Sequence, residues 1–184
     1  MILLASRSPQ RRALLGALGV DFRVVAPRAD EGDDPLANAR AKAREVAARA
    51  GVPDGGAVLG ADTEVLLDGR VLGKPVDAVA ARRELGALSG RAHVVRTAVC
   101  VITQRDEREV VDDARVTFRP LSAATLDWYA ATGDWRDRAG GYAIQGAGAA
   151  LVERIEGDYT TVVGLPVGRL AALLEDAGLA PWSR

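Results

Sequence analysis

Residues 2–5 form a short apolar run, which predicts a buried strand. Ser8 before Pro9 predicts a helix start, with a hydroxyl cap and proline in the first turn. Leu14, Leu15 and Leu18 give that helix its apolar stripe, and Gly19 ends it. A second strand is expected over 22–26. A second helix is expected over 35–50, closed by Gly51, with a stripe of Leu36, Ala39, Ala43, Val46, Ala47 and Ala50. The apolar run 57–59 reads as a buried strand stopping at Gly60. Asp68-Gly69, flanked by Val65-Leu66-Leu67 and Val71-Leu72, predicts a tight hairpin. Asp77 caps a helix running to about Leu88. Strands at 94–102 and 110–118 form a long hairpin, and Ser122 caps a helix ended by Gly133. A strand at 149–155 and a helix led by Pro166, with Leu170, Leu173 and Leu174 inward and Gly178 closing it, complete the chain.

No repeat, low-complexity segment or linker interrupts this pattern, and 184 residues suit one domain, 1–184, with or without two lobes. Hydrophobic content of 48% and charged content of 27% are ordinary for a soluble globular protein. The net charge of −1 supplies no long-range field for nucleic acid. No apolar run approaches the ~20 residues of a membrane span, and the first five residues are too short for a signal sequence. Cys100 is the only cysteine, so an intrachain disulfide and a cysteine metal cage are excluded; a buried strand thiol in a cytoplasmic protein is expected. His93 is the only histidine, so histidine-based triads and multi-histidine metal sites have nothing further to draw on, and a structural His93 is expected.

Several polar groups sit where chemistry could use them. Asp62 and Thr63 directly follow an apolar strand, and Lys74 ends the returning strand of the hairpin in Gly73-Lys74-Pro75; a surface hairpin with solvated charges is the plainer reading. Arg11 falls on the leucine side of the first helix, one turn earlier. A guanidinium beside helix N–H groups suits an anion, so the loop containing Ser6 and Ser8 could hold phosphate; Arg11 could equally reach along the core edge to water. The acidic loop 30–34 is a solvated loop or, through one carboxylate, a ligand for Mg²⁺. Lys42 lies on the flank of the second helix's stripe and either snorkels or reaches a cleft. Gln145 stands in the glycine-rich stretch 139–148, where an amide could read a base edge or be satisfied within a bulged strand. Gly69 and Gly73-Lys74-Pro75 lack the P-loop spacing and its hydroxyl residue, which argues against a kinase or GTPase.

Taken in order, L-L-A-S-R-S-P-x-R-R, V-L-G-A-D-T, G-K-P, L-S-G-R-A-H, A-G-G-Y-A-I-Q-G and G-D-Y-T-T-V-V-G-L-P span nearly the whole chain. This set resembles the Maf family of nucleoside triphosphate pyrophosphatases. The resemblance implies an α/β fold like that of the inosine triphosphate pyrophosphatases. Its twisted mixed sheet is flanked by helices, with two lobes around a central cleft, often in a homodimer. It implies hydrolysis of a nucleoside triphosphate to monophosphate and pyrophosphate with a divalent metal cation, Mg²⁺ or Mn²⁺. Asp62 matches the family's proton acceptor; Ser6, Arg11, Lys42 and Lys74 match phosphate-contacting positions; Glu31 matches an acidic position near the metal. Thr63 and Gln145 match base-selecting positions of the branch that prefers dTTP and UTP. Position 10 also bears on the base; that branch usually carries arginine there, and this chain carries Gln10. The branch that hydrolyses 7-methyl-GTP differs after the aspartate and carries an acid where Gln145 stands. A house-cleaning enzyme for another non-standard nucleotide and a non-catalytic nucleotide sensor in cell division are the competing readings.

Overall fold

A computed structural model describes residues 1–183 of the chain. The initial apolar run is β1 (Ile2–Ala5), buried throughout. It pairs in parallel with β2 (Phe22–Val24) on one side and β3 (Ala57–Leu67) on the other. β4 (Arg70–Leu72) returns antiparallel on β3 across the Asp68-Gly69 turn, as the dipeptide predicts. With β5 (Ala92–Ile102), β6 (Glu107–Phe118) and β7 (Val152–Glu156) these make a seven-stranded mixed sheet in the order β2-β1-β3-β5-β6-β7, β4 joining β3. The helices are α1 (Pro9–Ala17), α2 (Pro35–Ala50), α3 (Ala78–Leu88), α4 (Ala123–Thr132), α5 (Tyr159–Val163) and α6 (Val167–Asp176). Ser8, Asp34, Asp77 and Ser122 cap the first four, each side chain accepting from a first-turn N–H that the helix leaves unpaired. Among the described residues no helix is long and apolar enough to cross a membrane.

The chain divides into two compact units. The first takes Met1–Asp62, Thr97–Asp112 and the residues from Gly164 onward; the second takes Thr63–Arg96 and Asp113–Val163. In the first unit the two-residue period of the strands sorts the core into two layers. Leu3, Ala5 and Val58 pack with Ala39, Ala43 and Val46 of α2. Ile2, Leu4, Ala57, Leu59 and Ala61 pack with Leu15 of α1 and Leu170 and Leu174 of α6. In the second unit Val65 and Leu67 join Ala81, Leu85 and Leu88 of α3, Leu126 and Tyr129 of α4, and Phe118.

Several predicted boundaries shift. β3 does not stop at Gly60 but continues through Asp62 and Thr63 to Leu67. The glycine-rich stretch is no bulged strand: residues 139–141 and 146–151 are 3₁₀ turns. Gly140 adopts φ 67°, and a Cβ there would lie 2.9 Å from Cγ1 of Val65. The last strand, expected from 149, begins only at Val152, and residues 159–163 form the short helix α5.

Candidate active site

Gly60 decides how the site is assembled. It lies on the face of β3 that carries Val58, and a Cβ at Gly60 would sit 2.2 Å from the Ala39 carbonyl oxygen and 2.9 Å from the Ala43 nitrogen. Only a residue without a side chain lets strand and helix backbones approach this closely. Two residues on, the same face of β3 presents Asp62, and α2 meets it with Asn38 and Lys42, one turn apart.

The buried face of α2 is Pro35, Asn38, Ala39, Lys42, Ala43 and Val46. Lys42 therefore lies within the packed stripe, 5% exposed, rather than on its flank. Its Nζ donates to Asp62 Oδ1 at 2.6 Å and pairs with Glu31 Oε1 at 2.7 Å. The two carboxylates thus share one cation. The side chains of Lys42 and Asp62 are 6% and 14% exposed, that of Glu31 45%. Removing Lys42 would leave both carboxylates without the cation they share, whereas removing one carboxylate leaves the lysine its other partner. Asn38, which the sequence pattern did not single out, donates through Nδ2 to Asp62 Oδ2 at 2.9 Å.

Arg11 is a buried strut. Its Nε donates to the Gly164 carbonyl and its Nη1 to the Ala61 carbonyl, both at 2.8 Å, with Ser6 Oγ 3.5 Å away. Burial pushes its pKa down, while the carboxylates of Asp62 and Glu31 push it up. Ser6 Oγ also accepts from Ser8 N at 3.1 Å, and Ser8 Oγ both caps α1 and donates to Gln10 Oε1 at 3.2 Å. The first unit therefore brings Ser6, Arg11, Glu31, Lys42 and Asp62 into one connected set, with Gln10 attached through Ser8. Thr63, Lys74 and Gln145 belong to the second unit, where Lys74 and Gln145 are exposed and Thr63 is half-buried.

Among the described residues one group could offer three ligand atoms to a metal: Cys100, Glu107 and Glu109, with donor atoms all within 4.8 Å of one another. Its carboxylates are already held by guanidinium forks, Arg40 on Glu109 at 2.6 and 2.8 Å and Arg44 on Glu107 at 3.0 Å twice. Burial, helped by both carboxylates, pushes the Cys100 thiol up to about 12. A metal there would have to displace two forks and deprotonate that thiol. Glu31 and Asp62 offer hard oxygen atoms already converging on one cation, which suits Mg²⁺ or Mn²⁺ better.

Comparison with known proteins places the whole chain in one family. The family model described as "Maf-like protein" matches residues 1–177. A Thermus thermophilus protein named dTTP/UTP pyrophosphatase is 50% identical over 181 residues, covering 98% of this chain and 96% of the relative. Proteins of the same name from Moorella thermoacetica and Deinococcus radiodurans are 48% and 44% identical, covering 100% and 98% of this chain and 98% and 95% of theirs. A solved HAM1 protein from Coxiella burnetii superposes with a TM-score of 0.58 at 17% identity, covering 95% of this chain and 98% of that one, which shows a shared fold.

Proposed function

This chain belongs to the Maf family, and from that premise we propose that it is a nucleoside triphosphate pyrophosphatase acting on dTTP and UTP. Water attacks the α-phosphorus, the bond to the α–β bridging oxygen breaks, and nucleoside monophosphate and pyrophosphate leave. The observation that carries the reading is the part-buried Asp62 carboxylate, held by Lys42 at 2.6 Å and Asn38 at 2.9 Å beside a second carboxylate, Glu31.

Such a reaction asks a protein mainly for positioning and charge neutralisation. Asp62 takes the proton of the attacking water. Its two oxygens are each fixed by a donor, so the carboxylate is oriented before substrate arrives. Lys42, already between two anions, offsets phosphate charge; Arg11 and Ser6 shape the loop at the start of α1, where N–H groups suit an anion. Glu31 and Asp62 would hold Mg²⁺ or Mn²⁺; when bound, the ion supplies further charge neutralisation and a more acidic bound water. By the family pattern Lys74 adds a phosphate contact, and Gln10, Thr63 and Gln145 select the base. The same reading carries one pyrophosphatase domain over the whole chain, a cytoplasmic setting and a homodimer.

A panel of nucleotides with Mg²⁺ or Mn²⁺, its products resolved as pyrophosphate or single phosphate, tests the proposal. dTTP and UTP should release pyrophosphate. Asp62→Asn should still bind nucleotide while turnover falls roughly 10²–10⁴-fold, the usual cost of losing a general base. Turnover of 7-methyl-GTP with none of dTTP would reverse the substrate assignment, and near-normal turnover by the variant would remove Asp62 from its role.

A further inference from the structure

The geometry points to Asn38 as a positioning residue that orients the Asp62 carboxylate and ties it to the loop bearing Glu31; this rests on the reading of Asp62 as proton acceptor. Asn38 sits in the first turn of α2, 6% exposed, and its amide has three partners. Nδ2 donates to Asp62 Oδ2 at 2.9 Å and to the Gly32 carbonyl at 2.8 Å, while Oδ1 accepts from Gly32 N at 2.7 Å. The last two bonds form a closed pairing with the backbone of a single residue, and that residue follows Glu31.

A primary amide is the one side-chain group that can serve this junction. It has two N–H donors for two oxygen acceptors and an oxygen for the remaining N–H. Serine has one donor, and aspartate has none when ionised. With Asn38 on Oδ2 and Lys42 on Oδ1, rotation of the Asp62 carboxylate would break one bond or both. Asn38 therefore sets the direction of the Asp62 carboxylate, and through Gly32 it fixes the backbone next to the second carboxylate. It touches neither water nor phosphate in this role.

Asn38→Asp and Asn38→Ala test the assignment, each assayed for kcat and KM with dTTP and Mg²⁺ and normalised to the folded fraction, beside Asp62→Asn. Asn38→Asp keeps shape and the bond from Gly32 N but loses both Nδ2 bonds and places a third carboxylate against Asp62. The expected result is a kcat loss of about 10²-fold, as for comparable misplacement of a reacting group, with little change in KM. Asn38→Ala should lose kcat in the same direction through the lost bonds alone. A merely structural Asn38 would lower melting temperature and the active fraction while leaving kcat per folded molecule unchanged, and that outcome overturns the inference. If Asp62→Asn is inactive and both Asn38 variants keep the wild-type kcat per folded molecule, the Asn38 assignment alone falls. If Asp62→Asn is active, the reading of Asp62 falls first.

Discussion

Lowering the pH from 7.5 to 5 should destabilise this fold by about 2 kcal/mol through one residue, His93. The ring is 2% exposed, with Phe118 and Tyr142 edge-on at centroid distances of 5.0 and 5.5 Å. Its Nε2 lies 2.8 Å from the Tyr142 hydroxyl, and its Nδ1 has no hydrogen-bond partner among the described residues. An imidazolium would need acceptors at both nitrogens and would carry its charge into an aromatic core. Desolvation accordingly pushes the His93 pKa down from 6.5 to about 4. The folded state therefore refuses a proton that the unfolded chain accepts between those values, so the stability is full above pH 6.5 and lost as pH falls toward 4. The full effect is about 3 kcal/mol, of which about 2 kcal/mol is lost by pH 5.

Thermal unfolding of the wild type and His93→Gln across pH 7.5 to 5 reads this directly. Glutamine does not titrate and can still meet the Tyr142 hydroxyl. For a chain of this size about 2 kcal/mol corresponds to a shift of about 4–8 °C, so the wild-type melting temperature should fall by that much more than the variant's. Hydrogen bonds from Arg49, from Thr103 and Arg108, and from Arg40 hold Glu45, Asp106 and Glu109 below the usual carboxylate range, and burial pushes Glu84 up; all four are present in both proteins, so their contributions cancel in the comparison. A constant offset between the two curves reflects lost packing and is irrelevant. Parallel pH slopes would refute the reasoning.

Two further substitutions probe the first unit. Gly60→Ala places a Cβ within 2.2 Å of the Ala39 carbonyl oxygen, so α2 and β3 must separate; overpacking of this kind costs typically about 1–3 kcal/mol, read by urea unfolding, and turnover should fall with it. Unchanged unfolding and turnover would mean that α2 slides freely on β3. Arg11→Lys cannot span the Ala61 and Gly164 carbonyls with one ammonium and should cost about 1–3 kcal/mol for the buried carbonyl left unpaired, whereas Arg12→Lys, on the exposed side of α1, should melt like the wild type. Equal melting of the two variants would show that Arg11 serves substrate alone.

Local chemistry made much of the fold legible. Ser8, Asp77 and Ser122 announce helix starts because their side chains satisfy first-turn N–H groups, and each does so here. The Asp68-Gly69 turn is equally local. The burial of α2 was harder to read. Its sequence is dominated by alanine, which is tolerated on any face, and Leu36 pulled the inferred stripe toward Ala47 and Ala50. The buried arc actually runs 35, 38, 39, 42, 43, 46, which puts Asn38 and Lys42 inside it. A signal was present: Asn38 and Lys42 are four apart and each precedes a buried alanine, so the arc that buries Ala39 and Ala43 carries them as well. Gly60 misled for a related reason. A glycine in a strand marks either its end or a close backbone approach, and only the partner helix distinguishes the two.

That ambiguity has a physical root in how the site is made. Asp62, Asn38 and Lys42 could not meet in one junction if larger side chains held β3 away from α2. Ala39, Ala43 and Gly60 bring the two backbones together, and the charged residues beside them are then buried by the same contact. The 2.6 Å ion pair and the Asn38 bond then hold the carboxylate partly shielded, oriented and paired. Close packing of small residues and the chemistry of Asp62 are therefore one feature of the sequence, and a change that loosens the first should be felt in the second before the fold as a whole gives way.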